Sequence, residues 1–210
     1  MTYNQHMKIR FLNSILATIF FFQALGQTDT ALAGRLKLLV SEDQQARHLL
    51  DNFYDKPFSG EWKQKRDSIW AIINGIDKKN NAELKQIIKK LHRFPGYDIA
   101  GEQGAKDYWL LVQHQDYDTA FQKQVLSLMK AAVDNKNAPA EYYAYLVDRV
   151  RLNCGQKQLY GTQCWDNADK TRIIPRPLED SLNVNIRRAQ MGMETIELYL
   201  HNVNRKYGKD

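Results

Sequence analysis

Leu32, Leu36, Leu39, Ala46, Leu50 and Phe53 recur at intervals built from four and three, the spacing of one helix face, and predict a long helix from Thr28 to Phe53. Asp43 falls on the same stripe. A carboxylate at an inward position is costly to bury alone, so Asp43 is expected to meet a cation or a hydrogen-bonding pocket. Pro57 and Gly60 mark a loop, after which Trp62, Ile69, Ile73 and Ile76 predict a second helix. The polar run from Asp77 to Asn80 reads as a break. Asn80 with Glu83 three residues on is a capping-box pattern, and Leu84, Ile87, Ile88 and Leu91 carry a third helix that Phe94, Pro95 and Gly96 end.

Beyond Gly101 and Gly104, helical spacing returns at Tyr108 to Val112, at Phe121, Val125, Leu128, Met129 and Ala132, and at Tyr143, Leu146, Val147 and Val150, with Pro139 in the first turn of the last. Tyr145, Asp148 and Arg149 then project on a neighbouring face. After Gly155 the pattern changes. Gln158 to Trp165 and Lys170 to Leu178 predict a short hairpin whose second arm, with Pro175 and Pro177, is confined to an edge or to extended coil. Helix resumes from Val184 to Gln190 and again at Ile196, Tyr199, Leu200 and Val203. The fold class is mainly α: a helical bundle with a short β-hairpin or irregular insertion near 156–178.

The residues ahead of Thr28 carry a different signal. Lys8 and Arg10 form a charged start, with Met7 a candidate initiator, before an apolar stretch from Phe11 to Leu25. That stretch is shorter than the roughly 20 residues a bilayer-spanning helix needs. Ala24 and Gly26 sit at small-residue spacing, so residues 1–26 are expected to be a signal peptide cleaved after Gly26, and residues 27–210 a single exported domain, periplasmic or secreted, without a membrane span. A retained N-terminal anchor is the alternative. No cysteine follows Gly26, which argues against a lipoprotein.

Composition sharpens this picture only at a few points. With 43% hydrophobic and 26% charged residues the chain can build a core. Its net charge of +6 falls to +4 once Lys8 and Arg10 leave with the leader, and the basic residues are scattered, so no nucleic-acid partner is expected. Export makes the two cysteines worth pairing. Cys154 and Cys164 flank a turn-like stretch and are read either as a disulfide or as two free thiols.

Candidate chemistry lies in the polar residues between the helices. Histidine is the side chain suited to acid–base work near neutral pH, so His114 is the candidate, with Asp116 or Asp148 the carboxylate to orient it. Gly161 lets backbone N–H groups approach a ligand, and Arg149 or Arg187 offers a forked clamp for a carboxylate or phosphate. Asp43, Arg47, Gln113, Tyr145, Gln158, Tyr160, Thr162 and Gln163 complete the candidate binding face. The same residues can equally serve as fold-specific hydrogen bonding. His114 and Asp116 lack metal-ligand spacing, and no HExxH, paired CxxC or EF-hand pattern occurs, so neither a metal nor another cofactor is expected. No nucleophile elbow, P-loop or dinucleotide fingerprint occurs either.

Several of these segments together resemble the bacterial domain-of-unknown-function 6624 family. They are Asp43 to Arg47, Phe94-Pro95 with Gly101 and Gly104, Tyr108 to His114 with Asp116, Phe121-Gln122, Ala144 to Arg149, Gly155 with Gln158, Tyr160 to Gln163, and Pro175 to Arg188. The family pattern has Trp-Pro where this chain has Phe94-Pro95, and the cysteines stand outside it. The resemblance implies a helical domain and a polar signature, with no activity attached. The expected function is binding of a small polar ligand or a protein partner through the His/Asp/Arg/Gln-rich face. Two alternatives remain: a hydrolase-type enzyme using His114 with Asp116 or Asp148, and a purely structural envelope protein.

Overall fold

The computed structural model describes residues 28–53 and 56–209. The leader expected over residues 1–26 lies outside the described residues. Seven α-helices and one two-stranded antiparallel sheet make up the described chain, so the fold is mainly α with a short hairpin.

Helix α1 (Thr30–His48) starts at Asp29, whose carboxylate accepts the Leu32 N–H at 2.9 Å. It is shorter than its stripe of apolar residues. Leu50 lies in the turn that follows α1, and Phe53 ends a separate 3₁₀ turn, Asp51–Phe53, where it meets Trp62 edge-on. Helix α2 (Gly60–Leu91) runs unbroken for 32 residues, about 48 Å at 1.5 Å per residue. The break expected at Asp77 to Asn80 does not occur, for a physical reason. Asp77, Asn80 and Asn81 occupy the buried face between Ile73 and Leu84, where Asp77 takes Arg47 as partner and Asn81 donates to Asp118. Polar residues that reach partners inside the bundle continue a helix; they do not end it.

Helix α3 (Tyr97–Gln113) is kinked at Gly101, whose φ of 71° and ψ of 175° lie outside the helical region. Beyond the kink α3 supplies the centre of the core. Tyr108 is fully buried, donates its hydroxyl to the Leu84 carbonyl at 3.1 Å and stands edge-on to Phe94. Leu36 and Leu39 of α1, Leu84 and Ile88 of α2, and Leu111 and Val112 of α3 enclose it in one apolar cluster. Helix α4 (Thr119–Asp134) and helix α5 (Ala140–Asn153) pack together on this layer, contributing Phe121, Val125, Met129 and Leu146.

The insertion forms less sheet than its sequence suggests. Strands β1 (Cys164–Asp166) and β2 (Ile173–Pro175) pair antiparallel with Cys164 opposite Pro175, and Gln158 bridges Leu178 beyond them. Helices α6 (Val184–Gln190) and α7 (Ile196–Lys206) follow. Asn204 of α7 accepts from the Ile173 N–H and donates to the Ile173 carbonyl, covering the edge of β2. The Cys154–Cys164 bridge is not formed. Cys154 is the exposed cap of α5, whereas Cys164 lies in β1 beneath α7, and both are free. Burial pushes the Cys164 thiol up to about 11. No described helix is long and apolar enough to cross a membrane.

The start of α4 provides a test of this packing. Asp118 accepts the Phe121 N–H at 3.1 Å, pairs with Lys85 at 2.5 Å and takes the Asn81 amide. Burial raises its carboxyl, but Lys85, the Phe121 N–H and Asn81 outweigh it and hold the group below its ordinary value. A folded value below the unfolded one, about 3.9, means that the stabilisation is present above about pH 4 and fades as pH falls. Asp118→Ala should cost about 1 kcal/mol in urea unfolding at neutral pH, and the gap to wild type should shrink at pH 3. An equal gap at both pH values would contradict the ionised cap.

Candidate functional site

The stripe that folds α1 also carries Asp43 inward, where it is 1% exposed. One turn later Arg47 leaves the same face near the helix end. Helix α2 brings Asp77 from the opposite side, and His114 is the residue that caps α3. Three helices thus deliver four polar side chains to one place. His114 Nδ1 lies 3.0 Å from Asp43 Oδ1, Arg47 Nε donates to the same oxygen at 3.0 Å, and Gln44 Nε2 donates to Asp43 Oδ2 at 2.7 Å. Arg47 Nη2 donates to Asp77 Oδ1 at 2.6 Å, bridging the two carboxylates. The carboxylates are buried, while the side chains of His114 and Arg47 keep 14% and 22% exposure.

The environments of the two carboxylates differ in sign. Burial works to raise Asp43, but hydrogen bonding and charge from His114, with Arg47 and Gln44, hold it below its ordinary value. Asp77 is pushed above its ordinary value because burial outweighs Arg47 and the neighbouring Asp43 adds repulsion. Asp43 is therefore the firm anion of the pair. One oxygen of Asp43, one of Asp77 and one ring nitrogen of His114 lie within 4.8 Å of each other, a set able to hold a metal ion.

The carboxylate that His114 meets is thus Asp43, in place of the expected Asp116 or Asp148. Asp116 is spent elsewhere: Arg149 grips it with two hydrogen bonds of 2.8 and 2.6 Å, and Asn153 donates to it at 2.8 Å. Burial raises the Asp116 carboxyl less than Arg149, Asn153 and Gln122 lower it. Gln122, fully buried, reaches from that carboxylate to the Val112 and Gln113 carbonyls. Arg149 is therefore no free clamp.

Asp148 forms a third centre. It is fully buried and accepts the N–H groups of Leu159, Tyr160 and Thr162 and the Thr162 hydroxyl. Burial pushes its carboxyl up while these donors pull it back. The loop it holds turns at Gly161, where φ is +72° and an added Cβ would meet Ile196 Cδ1 at 2.4 Å. Gln158 clasps the same loop, donating to the Gln163 and Arg176 carbonyls and accepting the Gln163 N–H. Arg187 donates to Leu159 O, Arg188 to Tyr160 O and the Tyr199 hydroxyl to Thr162 O. Tyr145 stands edge-on to Trp109, and Gln113 is buried at the end of α3.

The expected face consequently divides into three hydrogen-bonded groups. Asp43, Arg47 and His114 form one, Asp116 and Arg149 a second, and Asp148 with Gln158, Tyr160, Gly161, Thr162, Gln163 and Arg187 a third. Among the described residues no hydrogen bond joins His114 to Asp116 or Asp148. Asp77 was missed because its run of polar neighbours reads as a helix break. Its signal was positional: four residues after Ile73 and seven before Leu84, it continues the inward stripe of α2.

Comparison with known proteins adds a family. A model described as a family of unknown function (DUF6624) matches residues 40–210. No curated protein and no solved structure matches the chain.

The three groups should respond differently to truncation. Asp148→Ala strands three N–H groups, two of them buried and worth about 1–3 kcal/mol each, and should lower unfolding free energy by about 3 kcal/mol or more. Arg149→Ala opens a partly exposed pair and should cost about 1 kcal/mol or less. Chemical denaturation of both variants checks this, and equal costs would remove the distinction between the second and third groups.

Proposed function

This chain belongs to the DUF6624 family, whose description carries no activity, and we propose that its domain binds a small polar ligand where α1, α2 and α3 meet. The observation that carries the reading is the Asp43–His114 contact of 3.0 Å. A buried carboxylate engages Nδ1, leaving Nε2 without a hydrogen bond among the described residues on a ring that solvent still reaches. Arg47 stands beside it with donors to offer. Groups used only for folding are closed on every side, as Asp148 is; His114 and Arg47 are each closed on one side.

A second reading, a hydrolase-type site, is favoured by the same contact, because Asp43 holds the imidazole as an orienting carboxylate does. In that reading Asp43 takes the part first assigned to Asp116 or Asp148. Either site would work outside the cytoplasm, on the strength of the leader-like residues Lys8 to Gly26.

Thermal shift of the purified protein against a library of small polar metabolites tests the proposal. A ligand at 100 times its Kd adds about 2.7 kcal/mol to stability, a shift that His114→Ala should abolish while its circular dichroism stays that of wild type. Ligands that stabilise wild type and His114→Ala equally would refute the assignment. Turnover of such a ligand, lost in both His114→Ala and Asp43→Asn, would select the hydrolase reading.

A further inference from the structure

We infer that the ligand taken by this cluster is a divalent transition-metal ion, bound by Asp43, Asp77 and His114 in exchange for the Arg47 guanidinium. The inference rests on the preceding reading that the junction of α1, α2 and α3 is a binding site, and it names the ligand class.

The donor set is mixed and preassembled. Two carboxylate oxygens and an imidazole nitrogen from three separate helices already lie within 4.8 Å of one another. A tetrahedral ion at about 2.1 Å from each donor needs donors about 3.4 Å apart. The 3.0 Å between His114 Nδ1 and Asp43 Oδ1 is close to that spacing. Oxygen with imidazole nitrogen suits Zn²⁺ or Mn²⁺; an all-oxygen set would suit Ca²⁺ or Mg²⁺. Three protein donors leave one coordination position open, as sites that act on a bound molecule do.

Charge points the same way. Two buried carboxylates are spanned by one guanidinium, that of Arg47, which donates from Nε to Asp43 and from Nη2 to Asp77. The guanidinium holds the two anions together as a cation would. Arg47 belongs to the last turn of α1 and is partly exposed, so it can swing into solvent when an ion takes its place.

Asn80 supplies an independent observation. It is 0% exposed, one turn beyond Asp77 on the same buried face of α2, and neither its amide nitrogen nor its carbonyl oxygen has a hydrogen-bond partner. Native interiors seldom leave such groups unmet, so the buried face of α2 that carries Asp77 still offers an unmet donor and acceptor one turn along. No spacing motif announces the site, because His114 stands 71 residues from Asp43.

The experiment is calorimetric titration of Zn²⁺, and separately Mn²⁺, into the chelator-treated, tag-free full chain, with thermal unfolding in parallel. One saturable ion per chain and a raised Tm are expected. Asp77→Asn and His114→Ala should each weaken binding at least tenfold, and Arg47→Ala should bind as tightly as wild type or more tightly. Mn²⁺ should also broaden the His114 ring resonances in the unmutated protein, a readout that needs no variant to fold. Absence of saturable binding in both wild type and Arg47→Ala, or affinity unchanged in Asp77→Asn and His114→Ala, would overturn the inference. If metal fails while polar metabolites still shift wild type but not His114→Ala, the metal inference falls and the binding site stands. If neither binds, both fall.

Discussion

The structure depends on one constraint: a carboxylate carried into an apolar interior must be met there by donors. An isolated buried anion would cost more than a small domain can spare. Of the four helical aspartates buried among the described residues, Asp107 meets Gln103 of its own helix, and the other three meet donors on other elements. Asp43 lies on the stripe of Leu36, Leu39 and Ala46, Asp77 on that of Ile73 and Leu84, and Asp148 on the buried side of α5. Each fixes the position of another element. Asp43 holds the end of α3 through His114, Asp77 ties α2 to α1 through Arg47, and Asp148 folds the loop before β1 onto α5. The bundle is aligned by Tyr108 and its apolar neighbours, but its register is pinned by these anions.

Pinning explains why the insertion can be irregular without being loose. Residues 158–163 make little ladder pairing, and their backbone groups would otherwise lie buried and unpaired. Asp148 takes three of their N–H groups, while Arg187, Arg188 and Tyr199 take carbonyls from the other side. Gly161 is needed because the turn requires a positive φ and because Ile196 of α7 closes over it. The polar signature around Tyr160 is thus accounted for by backbone satisfaction.

Helical periodicity made most of the architecture legible in the sequence, including α4, α5, α6 and α7 and the approximate hairpin. It failed where polar residues face inward. The run Asp77 to Asn80 has the composition of a helix end, and only partners remote in sequence, Arg47 for Asp77 and Asp118 for the adjoining Asn81, mark it as the middle of α2. The candidate site was half legible for the same reason. Asp43 was recognisable as a carboxylate needing a cation, and His114 as a titratable group, since each follows from local pattern. Their mutual contact spans 71 residues and no local pattern encodes it, so Asp116 and Asp148, both nearer in sequence, stood in for the true partner. The cysteines failed in the opposite sense. Ten residues apart, they invited a bridge, yet Cys154 ends a helix in solvent while Cys164 enters a strand under α7.

Two of the buried anions are caged in different ways. Asp148 is surrounded by donors that belong to one short loop, all of them backbone N–H groups or the Thr162 hydroxyl. Such a cage has no side chain that can leave and no face that solvent touches; its yield is conformational specificity. Asp43 is as deeply buried, but its partners are long or titratable side chains from different helices, and two of them, His114 and Arg47, extend to the surface. A cage of this second kind can open at the cost of moving one arginine. That asymmetry, rather than the number of polar residues, is what supports the junction of α1, α2 and α3 as the proposed binding site.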